Sequence, residues 1–312
     1  MSLRARLWRP KQSHALDSYQ SVAYNLANMK RYRVLSFDFD SRATYLAMEI
    51  HQDWEEKIKE QHRENKENLI QELLSQYGTH AAEVKRKNLI DMGPKPFSIL
   101  AFHNKFFEQI RRAFIMGSYY PALTSSCALG ERILNHLVRT LREDFKSTPE
   151  YKKIYRKDSF DNWDVPINTL ESWQVLLPDV VKAFQDLLEL RRRSIHFDPA
   201  VDQDDRPLAL QAIKYLSKII GTQFSAVGSQ PWFIPGTPGE SYIKKDAERL
   251  PFIKHIYLPN CQLVGPQNRI EVVGDRLLVQ DNNKYENVEI SDEEFRDLRL
   301  KRNLPQNDPP RL

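Results

Sequence analysis

The chain has 312 residues, a formal net charge of +4 and 41% hydrophobic residues, enough to bury a sizeable core in one to three domains. It contains no apolar run of membrane-spanning length. The start, Met1 to His14, carries Arg4, Arg6, Arg9 and Lys11 without an apolar core, so a secretory signal is not expected. Two cysteines, Cys127 and Cys261, give neither zinc spacing nor a disulfide framework, which makes a reducing, cytoplasmic setting the expectation.

Arg31 to Asp40 is the one strand-like segment of the first half. From Arg42 the pattern predicts a long polar helix to Tyr77, capped by Asp40 or Ser41 and stopped by Gly78. Its stretch Glu55 to Glu67 is almost wholly charged or amide and reads as a solvated face or arm. Gly93-Pro94-Lys95-Pro96 breaks the chain. Ile99, Leu100, Phe102, Phe106, Phe107, Ile110, Phe114 and Ile115 then recur at helical spacing. The aromatics among them read as core rather than as a base-stacking platform. A second apolar helix follows Gly117-Ser118 and runs from Ala122 to Leu141.

A polar connection, Lys146 to Asp164, leads to a third helix built on Val180, Val181, Phe184, Leu187 and Leu188 and ended before Pro199. A fourth runs from Pro207 to Phe224. Composition changes at Gly228, and three β-rich pieces follow: Phe252 to Leu258, Arg269 to Val273 and Arg276 to Val279. Gly274-Asp275 reads as a hairpin turn and Ser291-Asp292-Glu293-Glu294 as a capped helix start. The expected architecture is mainly α: an N-terminal arm and long helix over 1–92, a four-helix bundle over 93–227 and a small α+β module over 228–312.

The chemistry concentrates where the third helix ends, in Leu190-Arg191-Arg192-Arg193-Ser194-Ile195-His196. Arginine keeps its charge at any ordinary pH, whereas histidine titrates near neutrality. Arg191 continues the apolar stripe of Phe184, Leu187 and Leu188, where a charge facing the core needs a partner or a ligand. One such partner is Glu131, a lone acid among apolar neighbours on the second helix, which could orient Arg191, hydrogen-bond a ligand or form a structural ion pair. A second Arg-x4-His match, Arg9 to His14, sits beside Pro10 in the basic arm and is set aside.

Three features resemble the HEPN superfamily of helical ribonuclease toxins and antiviral effectors. They are Ser118 to Leu134, whose small residues precede Glu131, then Arg191-x4-His196, and the fourth helix immediately after. The family arginine is usually followed by Asn, Asp or His; here the position is Arg192. The resemblance implies a metal-independent endoribonuclease without cofactor, a homodimer in which each subunit supplies one Arg/His pair, and an antitoxin or other regulatory partner. In such a site His196 would be the general acid–base and Arg191 would hold the scissile phosphate. Arg192, Arg193 and Glu131 would contact the RNA around it. The different-class alternative is a non-catalytic HEPN-like binding or scaffold protein.

Two other patterns weigh less. Val34 to Asp40 resembles the nucleophile strand of haloacid-dehalogenase-like phosphatases, a fold that needs alternating strands and helices where this chain is expected to be helical. His51, Glu55 and His62 could make a metal set only in part, since only the first two share a helix face.

Overall fold

The computed structural model describes residues 29–195, 205–274, 276–282, 284–286 and 288–301. His196, Arg9, His14 and Pro199 lie outside the described residues. The elements in chain order begin with strands β1 (Arg31–Val34) and β2 (Phe37–Asp40). Helices α1 (Arg42–Ala47), α2 (Glu56–Tyr77) and α3 (Ala82–Met92) lead to strand β3 (Lys95–Ile99). Then come α4 (His103–Ile115), α5 (Tyr119–Leu141), α6 (Tyr151–Ile154), α7 (Asp164–Ser172), α8 (Pro178–Ile195) and α9 (Asp205–Gln223). Strands β4 (Cys261–Val264), β5 (Arg269–Val273) and β6 (Arg276–Gln280) precede α10 (Asp292–Lys301). The fold is mainly α, and the described residues divide into two compact units, those within Phe39–Phe224 and those of 29–38 together with those from Ser225 onward.

In the helical unit α5 packs against α4, α7, α8 and α9, and α9 also packs against α8. The reason is the breadth of its apolar face. Leu123, Cys127, Gly130, Leu134 and Leu137 fall on one side, and Leu129, Ile133 and Val138 widen it to about half of the circumference. A helix apolar over so wide an arc must be wrapped by neighbours rather than laid on one surface. The aromatic residues of α4 divide: Phe107 and Phe114 are fully buried, whereas Phe102 and Phe106 are half-buried.

Several expectations are corrected. The segment from Arg31 to Asp40 forms two strands in different sheets: β1 pairs antiparallel with β4, and β2 pairs with β3. The long helix is interrupted, because Met48 turns extended (φ −63°, ψ 132°) and helix resumes only at Glu56. Tertiary contacts outweigh helical continuity here: Trp54 packs on His62 at 4.9 Å between ring centroids, Tyr45 Oη lies 2.7 Å from His62 Nδ1, and Lys66 donates to the Met48 carbonyl. The N-cap position is Ser41, whose side chain makes no cap bond; Asp40, one residue earlier, accepts from the Arg42 backbone N–H at 3.0 Å. The polar connection after α5 holds α6 and the start of α7. Phe252 to Leu258 is helical, with a π turn at Ile253–Tyr257. Its buried residues, Phe252, Ile253, Ile256 and Tyr257, are spaced by three and four, a helical period within a β-prone composition.

In the second unit, a small core of Ile234, Tyr242, Val264 and Phe295 is bordered by three buried arginines, Arg31, Arg33 and Arg299. Arg31 pairs with Asp292 at 2.5 Å and donates to the Ile290 carbonyl at 2.7 Å. Arg299 pairs with Glu240 and donates to the carbonyls of Pro266 and Asn268. A buried charge needs this degree of satisfaction to be tolerated. The hairpin of β5 and β6 turns at Gly274, whose φ of 63° is a conformation glycine adopts without strain. Ser291 and Glu294 form a reciprocal capping box, with each side chain accepting from the other's backbone N–H at 3.1 and 2.8 Å.

His103, at the start of α4, is fully buried against Phe224, and among the described residues neither ring nitrogen has a hydrogen-bond partner. Burial, reinforced by the charge of Lys95, pushes its pKa down to about 3. The folded state therefore keeps this ring neutral while the unfolded chain protonates it near pH 6.5. Since the unfolded state binds the extra proton, stability falls as pH drops from about 6.5 toward 3, by at most about 1.4 kcal/mol per pH unit from this group. Urea unfolding at pH 7 and pH 5 should show a larger acid loss for wild type than for His103→Leu. Equal losses would place the acid sensitivity elsewhere.

Candidate functional site

The described part of the candidate site is built where α8 ends over α5 and the start of α7. Arg191 is on the last turn of α8, four residues beyond Leu187, so it follows the same face out of the core. Its Nη2 lies 3.3 Å from Glu131 Oε2, and the side chains of the pair remain 28% and 31% exposed. The same carboxylate oxygen accepts from Trp163 Nε1–H at 3.1 Å. The guanidinium sits over the Trp163 ring, 5.6 Å from its centroid. One glutamate oxygen and one indole thus hold one side of the arginine, a geometry in which charge pairing and cation–π attraction act together.

Trp163 is fully buried, and three features place it there. Asn135 on α5 anchors the approach three residues earlier, accepting from Phe160 N–H at 2.8 Å. Asn162 turns the chain into α7 by accepting from Asp164 N–H at 3.0 Å. Gly130 leaves space: a Cβ at this position would fall 2.6 Å from the indole Cη2 and 2.7 Å from Leu187 Cδ2. No tetrahedral carbon fits there without displacement. The small residue before Glu131 therefore has a structural purpose, which is to admit the tryptophan that meets the glutamate.

Arg192 is exposed and pairs with Asp164 at 3.2 Å and with Glu189 at 3.7 Å, so it is committed to its own surface. Arg193 is exposed with no ion-pair partner among the described residues. Cys127 and the buried Ser194 lie next to each other beneath Arg191; burial pushes the thiol up to about 11, with Ser194 and Arg191 opposing the shift. It is therefore a protonated packing residue at neutral pH.

Sequence reading named Arg191 and Glu131 and missed Trp163, Asn135 and Asp164. Trp163 stood in a polar connection, and a lone tryptophan between Asn162 and Asp164 was the only signal available. The other patterns find different roles. Asp40 is bound to the Arg42 guanidinium through three contacts of 2.8 to 3.2 Å. Burial alone would raise its carboxyl, but Arg42, with Arg111 behind it, holds the pKa below the ordinary value. His62 faces Tyr45 and Trp54, and among the described residues no three His, Cys, Asp or Glu side chains gather as a metal site. Among the described residues no helix is long and apolar enough to cross a membrane.

Comparison with family models, with curated proteins and with solved structures finds no match to this chain.

Gly130→Ala should lower stability by about 1–2 kcal/mol, because overpacking costs about 1–3 kcal/mol and the better helix propensity of alanine returns up to about 1. Urea unfolding reads this directly. A neutral or stabilising outcome would mean that Trp163 does not press on α5 as described.

Proposed function

We propose that the end of α8 is the phosphate-binding half of a metal-independent endoribonuclease site, with His196 as its general acid–base. One observation carries the reading: the Arg191 guanidinium is fixed on one side by Glu131 and Trp163, while its other N–H groups have no partner among the described residues. An arginine held in place and still partly open to solvent can present donors to a phosphate without first being ordered. His196 is five residues further along the same chain.

The chemistry follows from those two groups. A neutral imidazole takes the proton of a 2′-hydroxyl, whose oxygen attacks the adjacent phosphorus. The P–O5′ bond breaks and the leaving 5′-oxygen receives a proton from an imidazolium. The products are a 2′,3′-cyclic phosphate and a 5′-hydroxyl. Arg191 offsets the charge that builds on the non-bridging oxygens. By the HEPN resemblance, two copies of the chain would each supply one Arg/His pair, in a cytoplasmic toxin or antiviral effector restrained by a regulatory partner. Glu131 would then act through Arg191, as a positioning residue.

The scaffold reading rests on a different observation. Both Arg191 and Arg192 are already paired within their own chain, so the cluster can be explained as a helix-end ion network.

Cleavage of a structured-RNA pool in the presence of EDTA separates the two. Wild type is expected to cut and leave cyclic-phosphate ends; His196→Ala should lose about 10²–10⁴ in rate and Arg191→Ala a comparable factor. Variants cutting as fast as wild type would overturn the site. A wild type that cuts nothing would favour the scaffold.

A further inference from the structure

A face of α5 adjoining that of Glu131 carries a second feature that the Arg191 site does not use. Arg132, His136 and Arg139 follow one another at intervals of four and three along α5 and are all exposed. This spacing aligns them on one side of the helix. Two of them lie on the half-buried aromatics of α4. The Arg132 guanidinium sits 4.8 Å from the Phe106 ring centroid, and the His136 ring stacks on Phe102 at 4.2 Å with 22° between planes. Phe102 and Phe106 are themselves one helical turn apart, so the two pairs form successive rungs across the α4–α5 seam.

The charge balance of this face is one-sided. Among the described residues Arg132 and Arg139 have no ion-pair partner, nor does Lys105, exposed on α4 between the two phenylalanines. The neighbouring acids are engaged elsewhere: Glu131 with Arg191, and Glu108 with Lys95 and Arg112. Partial burial of the stacked ring, with Arg132 and Arg139 adding to it, holds His136 below the ordinary histidine pKa. A surface that keeps like charges this close without counter-charges is electrostatically unfavourable until an anion covers it.

We infer that the Phe102–Phe106–Arg132–His136–Arg139 face binds single-stranded RNA, its arginines and Lys105 along the phosphates and its stacked rungs against the bases. The chemistry is that of single-strand binding in general, in which a cationic track follows the backbone and flat side chains offer sequence-tolerant stacking. Arg132 is the residue next to Glu131, about 100° around α5, so a strand on this face runs beside the carboxylate that holds Arg191. The inference deepens the ribonuclease reading by giving its substrate a path, and it is tested apart from cleavage.

The measurement is fluorescence anisotropy with a labelled, unstructured CA-repeat RNA of about 20 nucleotides, a span sufficient for single-strand tracks of this kind. Wild type should bind, and more weakly as salt rises from about 50 to about 200 mM. Arg132→Ala/Arg139→Ala should weaken binding at least about tenfold and flatten the salt slope by about two phosphate contacts. Phe106→Leu should cost about fivefold or more through lost stacking, with circular dichroism confirming the helical fold. Binding by the double-arginine variant within about twofold of wild type, or no binding by wild type at low salt, would overturn the inference, and so would equal affinity for an RNA duplex of the same length. Binding through this face with no cleavage by wild type would leave the inference standing and remove the ribonuclease reading.

Discussion

One carboxylate oxygen joins three parts of the helical unit. Glu131 Oε2 accepts from the indole of Trp163 and faces the guanidinium of Arg191, so α5, the entry to α7 and the end of α8 meet at a single acceptor. Each partner of that contact is produced by packing rather than by local chain preference. Trp163 can reach the glutamate because Gly130 leaves a gap, and Arg191 arrives there because it extends the stripe that Leu187 buries. Without the acceptor, the indole N–H would be a buried donor without a partner, at a cost of about 1–3 kcal/mol.

The arrangement also sorts the arginines at the end of α8. Arg191 is held in a fixed orientation, Arg192 is tied to Asp164 and Glu189, and Arg193 has no ionic partner among the described residues. Three consecutive cations at a helix C-terminus are favoured by the helix dipole, and this alone is a sufficient reason for their presence. What the dipole does not account for is the tryptophan beneath Arg191. A solvated helix-end cation needs no aromatic floor, whereas a cation that must keep one orientation is served by one. The same logic distinguishes Arg132, which rests on Phe106 with no acidic partner among the described residues, from the surface ion pairs of α2 and α3.

Much of this organisation was legible from apolar spacing. The helices now called α4, α5, α8 and α9 lie where residues such as Phe107, Ile133, Phe184 and Ile213 predict them, and the Ser291–Glu294 cap and the Gly274 turn were readable from short motifs. The failures have physical causes. Strand β1 pairs with β4 across more than two hundred residues of chain, a partnership no local window contains. The break after Ala47 comes from Trp54, His62 and Lys66 packing back on the turn, which overrides an otherwise helical composition. Trp163 and Asn135 were invisible as site residues because their roles exist only once α5 and α7 are in contact. Phe102 and Phe106 were read as core, but each is only partly buried and is stacked by a side chain of α5, His136 on Phe102 and Arg132 on Phe106.

The claim on which this account most depends is that Glu131 and Arg191 are energetically coupled rather than merely adjacent. A double-mutant cycle of Glu131→Gln and Arg191→Met, read by urea unfolding, measures this coupling with the separate costs of each change removed. For two side chains mostly withdrawn from solvent, and with Trp163 engaging both, the account predicts a coupling of about 0.5–1 kcal/mol. Additive effects, agreeing within about 0.3 kcal/mol, would contradict it and leave Arg191 as an ordinary helix-end cation.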